Sequence, residues 1–299
     1  MNLPIHFFGG TMIKKVTKSH INQAIRYALK MNQIDEMKSS FLSSKRSLVK
    51  KDFIDLFSHD KHLILGDYRR FSMCGLIVCY KHPHQDFMDC AGPFYEDMSV
   101  GHALIEEVLN LTSFSQNVIF FFDHRHQELI KLIESFGGHL QGDESQLILK
   151  RGQEKNISHS ENIHAYDRSH QSWLKMTHDH LFPDSYIPMD DVLSMKDSSR
   201  QTYLIFDSDQ PIGYLILKSY PDFLQRKTIE MIGVIDRYRH KGYGRALLSY
   251  AIRECFLDPR VTSIDLIVEN VNTHALNLYT NLGFQVLRTN VNMMIAKKR

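Results

Sequence analysis

One continuous stretch, TIEMIGVIDRYRHKGYGRALLSYAIRECF, restricts the fold of this chain more than any other. It opens on an apolar run of strand character, Thr228 to Ile235. It closes on a segment where Leu247, Leu248, Ala251, Ile252, Cys255 and Phe256 recur at steps of one, three or four, the spacing of a helix with one buried face. Between the two stands RHKGYG, glycines set among basic and aromatic residues. Glycine reaches positive φ at little steric cost, so the chain can turn sharply here from strand to helix. A helix entered through such a turn aims unpaired backbone amides and the positive end of its dipole at one spot, which suits a phosphate. Gly242 and Gly244 keep side chains off that spot, and Arg239 and Arg245 can add charge-assisted bonds. The turn alone is weak evidence, because it has neither the third glycine of a dinucleotide fingerprint nor the G-K-[ST] of a P-loop.

The surrounding segments build a sheet around this turn. QTYLIFD and PIGYLILKSY read as a hairpin joined by SDQ, and SIDLIV alternates as a strand with Ile264, Leu266 and Val268 on one side. In NTHALNLYTNLGF, Asn272 suits a helix N-cap, Ala275, Leu278 and Tyr279 share a face, and Gly283 suits the C-cap. Two closing strands are expected around FQVLRT and VNMMIAK, and one or two helices before the hairpin around RSHQSWLKMTHDHLF. This order predicts an α/β chain with a mixed, mostly antiparallel sheet flanked by helices.

VIDRYRHKGYGRALL followed by VENVNTHALNLYTNLGF resembles the GNAT superfamily of acyl-CoA N-acyltransferases. It matches that family's R/Q-x-x-G-x-G/A and N-x-x-A-x-x-L-Y-x-x-x-G-F motifs, strongly from about Tyr203 to Ala296. The resemblance implies that the turn holds the pyrophosphate of coenzyme A, with Arg239, His240, Lys241, Gly242, Tyr243, Gly244 and Arg245 as cofactor-binding residues. It also implies that the strand Met231 to Val234 splays from its neighbour, so that Ile232, Gly233 and Val234 meet the pantetheine arm and polarise the thioester through the backbone. Asn272 falls where the family has a cofactor contact. The implied activity is acetyl transfer from acetyl-CoA to a primary amine by direct attack in a ternary complex, with Tyr279 as the acid and no metal. Glu230 is the first candidate for the base, and Glu269 is its rival. A coenzyme A-binding sensor or scaffold without turnover is the alternative.

An internal repeat extends the reading to the first half. DCAGPFYEDMSVGHALIEEVL lies on GVIDRYRHKGYGRALLSYAI when Ala103 is matched to Ala246, and VIFFFDHRHQELIKLIESFGG lies on IDLIVENVNTHALNLYTNLGF. This places Glu96 at Arg239, Ser99 at Gly242 and Ile133 at Tyr279, so polarity survives while the chemistry is lost. The expected organisation is a degenerate GNAT-like domain over 1–152, with 1–11 as a disordered extension, a polar linker over 153–162 and a catalytic domain over 163–299.

Composition excludes several other classes. The 299 residues are 43% hydrophobic and 23% charged, and 36 basic against 34 acidic side chains leave a net charge of +2, too small a field to point to nucleic acid or a membrane. Four scattered cysteines are no disulfide framework and suit a reducing, cytoplasmic setting. Cys74, Cys79, His82, His84 and Cys90 fit no common zinc spacing. HDH at His178 to His180 and FPDSYIPMDDV fall where an acceptor cleft is expected, but they do not choose between a small-molecule and a peptide amine. The oligomeric state stays open.

Overall fold

The computed structural model describes residues 7–8, 11–39, 42, 46–58, 62–69, 72–81, 86–112, 116–183, 189–193, 199–221 and 223–297. Most of the expected N-terminal extension, 1–11, lies outside them, as do His82, His84 and the middle of FPDSYIPMDDV. In chain order the elements are β1 (Phe7–Phe8), β2 (Thr11–Lys15), α1 (Ile21–Met31), α2 (Arg46–Ser58), β3 (His62–Arg69), β4 (Ser72–Lys81), β5 (Phe87–Tyr95), α3 (Met98–Leu111), β6 (Asn117–Asp123), α4 (Gln127–Ser135) and β7 (His139–Lys150). They continue as β8 (Ile163–Ala165), α5 (Gln171–Leu181), α6 (Met189–Leu193), β9 (Arg200–Asp207), β10 (Gln210–Ser219), β11 (Arg226–Val234), α7 (Tyr243–Leu257), β12 (Ser263–Glu269), α8 (Thr273–Asn281) and β13 (Gln285–Ile295).

The chain forms two compact units, Met1–Glu144 with Thr289–Arg299, and Ser145–Arg288. In the second, β8, β9, β10 and β11 run antiparallel, β11 pairs in parallel with β12, and β7 follows β12 in the sheet order. Leu215, Leu217, Ile229 and Leu266 project from one face of this sheet into a core with Leu247, Leu248 and Ile252 of α7. Leu204, Tyr214 and Ile216 project from the other, against Leu174 of α5 and Met189 of α6. The first unit repeats the plan: β1 to β5 are antiparallel, β5 pairs in parallel with β6, and β6 pairs antiparallel with the Asn290 to Ile295 part of β13.

Three expectations change. The two closing strands are one strand, β13. The polar stretch expected to link two domains at 153–162 lies inside the second unit. It is bonded to distant parts of that unit: Lys155 N donates to the Leu282 carbonyl, Asn156 Nδ2 to the Asn281 carbonyl, and Ser158 N to Ser249 Oγ. Just before it, Arg151 spends its guanidinium on the carbonyls of Phe256, Asp258 and Val261, satisfying the end of α7 and the turn beyond it. Polarity there reflects bonded backbone, and a run of polar residues cannot show by itself whether it is bonded or solvated. The third change is that Thr289–Arg299, at the far end of the presumed catalytic domain, belongs to the first unit.

Candidate active site

The β11–β12 pair opens at its carboxyl end. Its parallel register runs from Arg226 opposite Ser263 to Ile229 opposite Leu266 and stops, although β11 continues to Val234 and β12 to Glu269. On its other edge β11 stays paired with β10 as far as Val234 opposite Gly213. Residues 230–234 thus keep one backbone edge free of β12. Ile232 and Val234 turn their side chains into the α7 core, whereas Gly233 lies under the opposite layer. A Cβ on Gly233 would stand 2.8 Å from Leu181 Cδ1 and 3.1 Å from Phe182, so that layer sits directly on the backbone.

Glu230 is where the opening begins. Leu217 pairs with Ile229 and Ile216 with Met231, which leaves Glu230 as the extra residue of a β-bulge. Its side chain is only 7% exposed and lies between Arg200 Nε at 2.6 Å and Lys218 Nζ at 3.1 Å, with Arg200 Nη2 also donating to its Oε1. The rival, Glu269, stands exposed at the end of β12, where its carbonyl accepts from Asn272 N. Sequence reading missed Arg200 and Lys218, because they sit on different strands and only sheet pairing brings them to Glu230. It also missed the bond between His178 Nδ1 and the Tyr214 hydroxyl, 2.7 Å and buried, beneath the layer that covers Gly233.

Beyond Val234 the chain makes a short 3-10 turn, Asp236–Tyr238, and then RHKGYG. Arg239 Nε donates to the Val234 carbonyl at 3.1 Å and its Nη2 meets Asp236 Oδ1 at 2.9 Å, which ties the turn to the end of β11. His240 has a left-handed φ of 62°, and Lys241 lies 5.1 Å over the Tyr238 ring. Gly242, with φ 90°, is the N-cap of α7 and supplies no side-chain acceptor. The first intrahelical bond is Ala246 N to the Gly242 carbonyl, so the amides of Tyr243, Gly244 and Arg245 have no partner within the helix. Above Gly242 nothing lies within 4 Å of where a Cβ would be, and Arg245 forms no ion pair among the described residues. Tyr243 packs against Tyr238, and local burial with nearby Asp207 pushes its phenol up.

On α8, Asn272 Oδ1 accepts from Ala275 N at 3.1 Å, so it is an N-cap. Tyr279 is 6% exposed and stacks edge to face on Phe284, and its hydroxyl has no hydrogen bond among the described residues. Burial alone raises its phenol to about 12, so it is a proton carrier at neutral pH.

Residues 164–284 match the model of the acetyltransferase (GNAT) family. That match lies within the second unit. Over the whole chain, the fold resembles a GCN5-related N-acetyltransferase from Sphaerobacter thermophilus, at 14% identity, 98% coverage of both chains and a TM-score of 0.75. It also resembles a tandem GNAT protein from the clavulanic acid biosynthesis pathway, at 10% identity, 96% of this chain, 99% of the other and a TM-score of 0.70. A third likeness is a putative acetyltransferase from Pyrococcus horikoshii, at 13% identity, 100% of this chain, 93% of the other and a TM-score of 0.62. No protein of curated function matches the sequence. The chain therefore has the tandem GNAT fold. Among its described residues no helix is long and apolar enough to cross a membrane.

The first GNAT-like unit keeps the scaffold and fills the site. Its β5–β6 register also stops early, at Cys90 opposite Phe120, while β5 runs on to Tyr95. Only Glu96 and Asp97 then separate β5 from α3, whereas Ile235 to Gly242 separate β11 from α7. No counterpart of RHKGYG stands between β5 and α3, and Asp97, not Ser99, holds the N-cap position that Gly242 holds on α7. Asp97 Oδ1 accepts from Ser99 N at 2.7 Å and from Ser99 Oγ at 2.6 Å, so this helix carries its own anion, with a carboxyl held below its usual range by those bonds. Glu96 pairs with Lys30. Ile133, fully buried on α4, stands at the place of Tyr279 on α8. Cys79 and Cys90 face each other across β4 and β5 with sulfurs 3.4 Å apart, as buried core thiols.

Proposed function

We propose that the second unit is an N-acetyltransferase that moves an acetyl group from acetyl-CoA to a primary amine in a ternary complex. The observation that carries this reading is the uncapped N-terminus of α7 at the mouth of the opened β11–β12 pair. The residues fit the cofactor: free amides at Tyr243, Gly244 and Arg245 and the Arg245 guanidinium suit a pyrophosphate, and the unpaired edge of residues 230–234 suits an amide-containing arm. Acetyl-CoA supplies a thioester when bound. Amides fixed along Ile232 to Val234 donate to the oxygen on which charge develops. Glu230 takes one proton from the acceptor ammonium through a water, which frees the lone pair that forms the N–C bond. Tyr279 gives its proton to the departing sulfur as the C–S bond breaks, and the second proton, left on the new amide nitrogen, then restores its phenol.

A coenzyme A-binding sensor is the second reading, and one observation favours it: both carboxylate oxygens of Glu230 are already engaged by Arg200 and Lys218. Thiol release from acetyl-CoA over a panel of small and peptide primary amines separates the two. Turnover on any amine supports the transferase, and tight binding without turnover on every class supports the sensor. Absence of binding removes both.

A further inference from the structure

Beside the free α7 amides and Arg245 lies a pair of imidazoles, one of them His240 of the turn itself. His240 and His274 meet edge to face with ring centroids 4.7 Å apart. His240 holds a left-handed backbone, a conformation unusual for a residue with a side chain, and its ring meets the first turn of α8. His274 stands in that turn, beside the Asn272 cap. Both are exposed, no acidic residue lies in the first turn of α7 or α8, and neither imidazole has a carboxylate partner among the described residues. Charged groups close by in the chain are Arg237, Arg239, Lys241 and Arg245, Asp236, which is engaged by Arg239 and lies 3.7 Å from His180, and the exposed Glu269, whose carbonyl accepts from Asn272 N at the start of α8.

Two imidazoles set against each other among cations and helix N-termini offer ring N–H donors to an anion that lies beside them. The pyrophosphate does not need them, since the α7 amides and Arg245 address it. We propose that His240 and His274 form a second anion subsite, which takes the phosphate monoester on the ribose of coenzyme A. This rests on the coenzyme A reading above and adds a discrimination to it. A monoester carries more charge per phosphorus than a diester and has three terminal oxygens, so it can accept from both imidazoles at once. Its place at the N-terminus of α8 separates it from the pyrophosphate at the N-terminus of α7.

The test is calorimetric binding of acetyl-CoA and of the analogue lacking the ribose phosphate, at low salt and near pH 6.5. Proteins compared are the wild type, His274→Gln and the double variant His240→Gln, His274→Gln. The wild type is expected to prefer acetyl-CoA about tenfold, as one charge-assisted contact gives. The ratio is expected to fall in the single variant and to drop below about twofold in the double variant. Equal affinity of the wild type for both nucleotides, which needs no variant to observe, overturns the subsite, as does an unchanged ratio in the folded double variant. If the wild type binds neither nucleotide, the coenzyme A reading itself fails and takes the subsite with it.

Discussion

Replacing Tyr279 by Phe separates the acid from the scaffold. The ring is 6% exposed and packs on Phe284, contacts that phenylalanine keeps, and the hydroxyl has no hydrogen bond among the described residues. Removing it should therefore change stability near neutral pH by no more than about 0.5 kcal/mol, because no bond is broken. Activity should behave differently, with kcat falling about a hundredfold or more through loss of the proton donor. Burial lifts the phenol from 10.0 to about 12. That penalises the phenolate by about 2.7 kcal/mol. Because the folded value is the higher one, the contribution is fully present below pH 10, where both states are protonated. It is lost as the pH rises from 10 towards 12 and the unfolded chain ionises first. Urea unfolding of wild type and variant from pH 8 to pH 12, with steady-state thiol release on the same preparations, reads both effects. The stability difference should be flat to about pH 10 and then move by up to about 2.7 kcal/mol in favour of the variant. A kcat within threefold of wild type would refute the acid, and a difference that stays flat to pH 12 would refute the burial argument.

Three further outcomes are expected. Gly242→Ala should cost about 1 kcal/mol of stability from its positive φ. Its Cβ meets no protein atom, yet it should weaken acetyl-CoA binding at least about tenfold by standing over the free amides, and an unchanged calorimetric affinity would count against the phosphate turn. Glu230→Gln leaves Arg200 and Lys218 half-shielded without their anion and should cost about 2 kcal/mol in chemical denaturation. If Glu230 is also the base, kcat should fall about a hundredfold in steady-state thiol release, and a kcat within threefold of wild type leaves it a positioning role only. Gly283→Ala should be severe, since φ is 102° and the new Cβ would lie 2.2 Å from the Gln153 carbonyl oxygen. A loss of about 3 kcal/mol or more in denaturant titration is expected, and a near-neutral result would mean that the 151–157 segment does not cross there.

Local pattern carried a great deal of this structure. The strand, glycine turn and helix from Thr228 to Phe256 are readable because each depends on neighbours within a few residues, and Asn272 and Gly283 mark the ends of α8 for the same reason. What escaped depends on partners far away in sequence. Nothing in TIEMIGV announces a bulge at Glu230, because a bulge exists only relative to the facing strand. Arg200 and Lys218 look like ordinary strand residues until pairing sets them beside that carboxylate. The repeat was visible in amphipathic rhythm, but such a rhythm does not fix the register: cap to cap, α3 and α7 stand two residues away from the match through Ala103 and Ala246. Only the short β5–α3 connection shows that the first copy lost the turn itself and gained a carboxylate cap.

The late place of Asn290 to Ile295 in the chain governs how this protein can be made. Asn290 to Ile295 completes the sheet beside β6, in a unit whose other strands are all translated before Ser145. A nascent chain leaving the ribosome therefore holds its first unit unfinished, with β6 lacking that neighbour, while the whole second unit is synthesised. Vectorial folding would finish the second unit first and close the first one last. Splitting the gene at the polar stretch after Lys150 would likewise yield two products that each carry part of a strand belonging to the other, Ser145 to Lys150 of β7 and Thr289 to Ile295 of β13, so they should fold when produced together and aggregate when produced apart.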